Sequence, residues 1–141
     1  MAVVNPYLNF NGQCEAAFNF YKSVFGGEFM MISRFKEVPP EYTLPASEAE
    51  SIMHVALPIG KGSVLMGSDI PESYGKGTPG TLYNIAINTD SEQEATDLFN
   101  GLSAGGKITM PLAKAFWGAY FGMFVDKFDV QWMVSYDENN H

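Results

Sequence analysis

Hydrophobic and polar positions alternate from Val3 to Phe10, with Asn5, Tyr7 and Asn9 on one side and Val4, Leu8 and Phe10 on the other. A period of two marks a strand with one face turned to a core. After the Asn11-Gly12 turn the period lengthens. Across Cys14–Gly26, Ala17, Phe18, Tyr21, Val24 and Phe25 recur every three or four residues, the apolar stripe of an amphipathic helix. Gly26-Gly27 supplies its stop. Phe29–Phe35 reads as a second strand. Ile52–Ile59 and Ser63–Ser68 read as two more, joined by a Gly60-Lys61-Gly62 hairpin. Pro39–Glu50 is rich in Pro, Ser and Glu, shows no period, and is expected to be a surface loop able to act as a flap.

The second half repeats the first. Leu82–Asn88 alternates, with Asn84, Ala86 and Asn88 opposite Tyr83, Ile85 and Ile87. Thr89-Asp90-Ser91 then opens a helix over Ser91–Ala104, and Glu94, three residues after Ser91, completes a capping-box pattern. Ala95, Leu98, Phe99 and Leu102 form its buried stripe, and Gly105-Gly106 ends it. Lys107–Leu112, Ala119–Val125 and Val130–Tyr136 are the expected strands, followed by a polar, frayed tail over Asp137–His141. The order strand, helix, three strands therefore occurs twice. The pattern divides the chain into a module at 1–70, a Pro- and Gly-rich linker at 71–80 and a module at 81–137, within one α+β domain. Each half has a sheet face it cannot bury alone. Two paired βαβββ modules would make a curved, cup-shaped mixed sheet, and a hollow of that kind suits a small ligand.

Composition narrows the partners. Of 141 residues, 46% are hydrophobic and 14% aromatic, ample for a packed core. The net charge of −8 repels phosphate backbones and anionic lipid, which argues against nucleic acid and membrane as partners. Cys14 is the only cysteine, so no internal disulfide forms, in keeping with a cytoplasmic protein. The first residues lack the charged and apolar regions of a signal peptide, and no segment reaches the ~20 apolar residues of a membrane span. No phosphate-binding or dinucleotide glycine pattern is present, so no nucleotide-type cofactor is expected.

The words Asn5-Pro6-Tyr7-Leu8-Asn9-Phe10-Asn11-Gly12, Ala17-Phe18-Asn19-Phe20-Tyr21, Phe25-Gly26-Gly27, Phe116-Trp117-Gly118 and Val130-Gln131-Trp132-Met133 run in order along nearly the whole chain. Together with the doubled module they resemble the vicinal oxygen chelate superfamily of glyoxalase I, bleomycin-resistance proteins and extradiol dioxygenases, and within it the PhnB-like subgroup. The resemblance implies a homodimer whose cups bind a small organic molecule. In the metal-dependent members, four His or Glu side chains in the cups hold a divalent ion that polarises substrate oxygens. Carried onto this chain, those positions fall at Asn5, near Met66, at Asn84 and at Gln131. None is His, Asp or Glu. Amide oxygens without charge repay little of a cation's dehydration, and a thioether is a soft donor. The resemblance therefore implies a small-molecule-binding protein with no catalytic metal and no cofactor, as in the drug-sequestering members. The last hairpin departs from the subgroup's Asp-Pro-Phe-Gly, reading Asp126-Lys127-Phe128-Asp129. Asp129 tolerates the left-handed turn geometry better than most residues.

The expected ligand-binding set is Asn5, Tyr7, His54, Met66, Asn84, Trp117, Tyr120 and Gln131, an amide floor with aromatic walls. Each has a plainer reading. His54 is more often a histidine bonded within a sheet than an acid, base or ligand. Trp117 and Tyr120 equally suit a core or a subunit interface, and methionines are commonly core filler. Glu48, Glu50, Glu92, Glu94 and Asp97 are expected to be solvated. The alternative is an enzyme: a metal-dependent lyase, isomerase or dioxygenase with a relocated metal on His54.

Overall fold

The fold, seen in a computed structural model, is described for residues 2–37, 39 and 45–138. Val38, residues 40–44 of the expected flap and residues 139–141 of the expected frayed tail lie outside that description. The chain divides into two compact units, Met1–Thr78 and Pro79–His141.

In the first unit β1 (Tyr7–Phe10) leads into α1 (Cys14–Phe25), then β2 (Met31–Arg34), β3 (Ile52–Ile59) and β4 (Ser63–Asp69). The sheet order is β1-β4-β3-β2, with β1 parallel to β4 and the other pairs antiparallel. α1 covers one face because its stripe carries Ala17, Phe18 and Tyr21, which bury against Leu8, Phe10, Val55, Leu57 and Leu65. Each such large side chain contributes about 1.5–3 kcal/mol when fully buried. Gly67 on β4 lets α1 come close: a Cβ there would stand 2.7 Å from Phe18 Cε1.

The second unit repeats the plan with β5 (Ile85–Asn88), α2 (Glu92–Ser103), β6 (Lys107–Lys114), β7 (Tyr120–Val125) and β8 (Gln131–Tyr136), ordered β5-β8-β7-β6. Ala95, Phe99 and Leu102 of α2 bury with Phe124, Trp132 and Val134. Gly122 plays the part of Gly67, since a Cβ would meet Phe99 at 2.6 Å. Among the described residues no helix is long and apolar enough to cross a membrane.

Several expectations shift in detail. The first strand of each half is shorter than its alternation. Residues 3–6 and 82–84 lie outside the strands, and Val4 is 94% exposed instead of facing α1. Alternation marks faces, but a strand lasts only as long as its neighbour pairs with it, and the β1–β4 register begins at Tyr7↔Met66. Glu48, expected in solvent, is buried in a short 3-10 turn, where its Oε1 accepts the Glu72 backbone N–H at 2.8 Å. The α2 cap forms as the sequence predicts, Ser91 Oγ accepting from Glu94 N at 3.0 Å, while the Glu94 carboxylate reaches Asp90 N rather than Ser91. Gln13 gives α1 no side-chain cap. Asp69, at the end of β4, supplies it: Oδ1 accepts from Cys14 N and Oδ2 from Ile52 N, both at 2.9 Å.

Candidate functional site

Strand pairing fixes which residues share the helix-free face of the first sheet. One row crosses it as Tyr7, Met66, Ala56 and Met31. The adjacent row is polar. Asn9 stands opposite Ser68 and Ser33 opposite His54, and the β3–β4 register, continued by one pair, sets His54 opposite Ser68. Tyr7 spans the two rows: its hydroxyl lies 3.3 Å from His54 Nδ1, and the rings stack with centroids 5.7 Å apart and planes 24° apart. Ser33 Oγ is shielded from solvent and has no hydrogen-bond partner among the described residues. Asn5 precedes β1, and its Oδ1 accepts the Val64 backbone N–H at 3.2 Å, holding the start of β4.

The corresponding rows of the second sheet are Ala86, Met133, Met123 and Met110, then Asn88, Ser135, Phe121 and Ala113. Three thioethers thus sit side by side on neighbouring strands, an adaptable and polarisable apolar surface. Gln131 anchors one end, its Nε2 donating to the Tyr83 carbonyl at 2.8 Å and its backbone N to Tyr83 Oη at 3.3 Å. Asn84 is exposed one residue before β5. Trp117, 54% exposed, packs edge-on against Phe121 at 5.5 Å and so stands by this face.

Tyr120 goes elsewhere. It pairs with Tyr136 on the helix side, and its hydroxyl lies 3.3 Å from Thr96 Oγ1 of α2. There it lines a cleft of about 130 Å³ with Glu92, Lys114, Gly118, Tyr136 and Glu138. The aromatic side chain on the helix-free face at that end of β7 is Phe121. Sequence reasoning also passed over Ser33 and Ser68, whose signal was their spacing from Met31 and Met66 along alternating strands.

The donors at the positions carried over for a metal do not match a divalent first-row ion. Asn5 Oδ1 holds a backbone N–H, the Gln131 amide nitrogen is bonded to a carbonyl, Met66 offers a thioether and Asn84 a neutral amide. Among the described residues no three His, Cys, Asp or Glu side chains cluster as a metal would need. Cys14 is buried, and that burial, with Asp69 and Glu15 nearby, pushes its thiol far above the ordinary range, which disfavours the thiolate that nucleophilic chemistry needs.

The model of the glyoxalase/bleomycin resistance protein/dioxygenase superfamily matches residues 4–134. The chain belongs to that superfamily. It is 29% identical over 140 residues to protein YjdN of Escherichia coli K12, covering 94% of this chain and 93% of that one. The crystal structure of PA1353 from Pseudomonas aeruginosa superposes with a TM-score of 0.83 at 40% identity, over 97% of this chain and 98% of that one. A Bacillus cereus structure described as a putative 3-demethylubiquinone-9 3-methyltransferase, PhnB protein, gives 0.74 at 27% identity over 96% and 99%. The two βαβββ modules are those of the glyoxalase/bleomycin-resistance fold, and the likeness to the PhnB protein is the one its sequence words imply.

Proposed function

We propose that this protein binds a small, partly apolar organic molecule on the helix-free faces of its sheets, without a catalytic metal. The observation that carries the reading is the pair of rows on the first sheet, apolar Tyr7–Met66–Ala56–Met31 beside polar Asn9–Ser68–His54–Ser33, with a buried hydroxyl still free to bond. An apolar surface with a few convergent polar groups is the general build of a small-molecule site. Asn84, Gln131 and Trp117, with Phe121, offer the same mixture on the second sheet. Asn5 contributes by holding β4 in place.

The methyltransferase description of the Bacillus protein is not carried over. The β1–α1 connection is Asn11-Gly12-Gln13 and the β5–α2 connection Thr89-Asp90-Ser91, neither a glycine-rich phosphate loop. Action in the cytosol and pairing into homodimers belong to the same proposal.

An aromatic fragment set screened by ligand-observed NMR tests the reading. Hits should bind the parent protein and lose roughly tenfold in affinity in Trp117→Ala or Met66→Ala, with the fold intact by circular dichroism. Unchanged affinity in both variants would remove these faces from the role.

A further inference from the structure

The contact between Tyr7 and His54 has chemical content beyond packing, and it rests on the binding reading above. A neutral imidazole carries one donor nitrogen and one acceptor nitrogen, and the bond at one fixes the role of the other. The Tyr7 hydroxyl, 3.3 Å from Nδ1, is a ready donor to it. With Nδ1 accepting, the ring proton sits on Nε2. No described residue bonds to Nε2. Directly across the β2–β3 pairing, Ser33 Oγ is shielded and unpartnered. A shielded hydroxyl without a partner costs free energy unless a ligand completes it.

We propose that Tyr7 is a positioning residue that holds His54 as its Nε2–H tautomer, and that Nε2–H and Ser33 Oγ–H together receive the carbonyl oxygen of an uncharged, planar ligand. The apolar body of that ligand lies along Met66, Ala56 and Met31. Charge decides between a carbonyl and a carboxylate. No lysine or arginine occupies either row, Arg34 and Lys36 are engaged with glutamates, and the chain carries −8 overall. An anion brought to this face would meet no cation to offset its desolvation.

Three probes of nearly one shape separate the possibilities in the full chain: acetophenone, α-methylstyrene, which replaces C=O by C=CH₂, and benzoate. Two-bond ¹H–¹⁵N spectra of the His54 ring, at about pH 8 where an ordinary histidine is neutral, read the tautomer. Methionine methyl shifts read binding. The expected result is an Nε2–H ring that loses this single form in Tyr7→Phe. Acetophenone should bind roughly 10- to 100-fold more tightly than α-methylstyrene, the worth of about two hydrogen bonds, and more tightly than benzoate. Tyr7→Phe and His54→Phe should each narrow the gap between acetophenone and α-methylstyrene, the Ser33 hydroxyl keeping what remains of it. An Nδ1–H ring, equal binding of the first two probes, or a preference for benzoate would overturn the inference while leaving the face a binding surface. Failure of all three probes to move any methionine methyl would overturn the inference and the binding reading together.

Discussion

Two buried carboxylates organise this fold at the scale of single residues. Asp126 is 2% exposed; Oδ1 accepts from the backbone N–H groups of Phe128 and Val130, and Oδ2 from the indole Nε1–H of Trp132 at 2.9 Å. One side chain thereby shapes the β7–β8 turn and pins the largest core residue. Asp126→Ala would strand three donors, each costing about 1–3 kcal/mol if left unpaired, and water entering the turn would recover part. The expected loss is on the order of 3 kcal/mol in a urea melt, with Asp126→Asn losing less. The same turn holds Asp129 at φ 69°, the one non-glycine positive φ among the described residues. Asp129→Gly removes a Cβ from the left-handed region and should stabilise the protein by about 0.5 kcal/mol in the same assay, net of the greater freedom of the unfolded glycine. The turn residue was legible in the sequence because its geometry is local. The role of Asp69 was not, since its partner Cys14 lies 55 residues away. An acidic residue ending a strand gives no sign of which distant helix it caps.

At the scale of elements, periodicity located the two helices and eight strands of the described residues to within a few residues at the ends. It misplaced Tyr120. The run Tyr120-Phe121-Gly122-Met123-Phe124 is apolar on both faces, so alternation alone cannot say which side meets α2. Gly122 held the answer: the helix side of a strand needs a gap where Phe99 lies, and Tyr120 and Phe124 share its parity. The tie between β2 and α1 was equally hidden. Arg34, the only arginine, grips the Glu15 carboxylate with both terminal nitrogens, at 3.0 and 2.5 Å, and donates to the Glu50 carbonyl at 2.8 Å. The hydrogen bond from Arg34 holds the Glu15 carboxyl below its usual 4.5. Folding therefore favours the ionised form. The contribution is fully present above about pH 4.5 and fades as pH falls through the lowered folded value. Both groups are solvent-accessible, so it stays under about 1 kcal/mol. Arg34→Met should be less stable than the parent at pH 7, with the difference shrinking steadily below pH 4.5 in urea melts across that range. A difference that does not change with pH would assign the role of Arg34 to the packing of its stem.

At the scale of the whole chain, the doubled module was legible because each copy repeats its order of periods. The helix-free faces were legible only as parity. That Tyr7, Met66, Ala56 and Met31 fall in one row depends on register, which pairing sets and composition does not. The corresponding row, Ala86, Met133, Met123 and Met110, is apolar, and where metal-dependent relatives of this fold would need hard, charged donors this chain has the thioether of Met66 and the neutral amides of Asn5, Asn84 and Gln131. Net acidity does not compensate. A charge of −8 draws cations to the surface generally, but tight capture of a first-row ion needs several anionic or imidazole donors on one point. Native mass spectrometry after incubation with zinc, nickel, manganese or iron(II), followed by buffer exchange, is expected to return the mass of the bare chain. Loosely held surface ions should disappear as ionic strength is raised before the exchange. One equivalent of metal surviving both steps would require a donor set other than Asn5, Met66, Asn84 and Gln131. His54→Ala would then show whether the imidazole next to Tyr7 belongs to it: retention of the metal would exclude His54, and loss would turn the polar row from a ligand's hydrogen-bonding surface into a metal's.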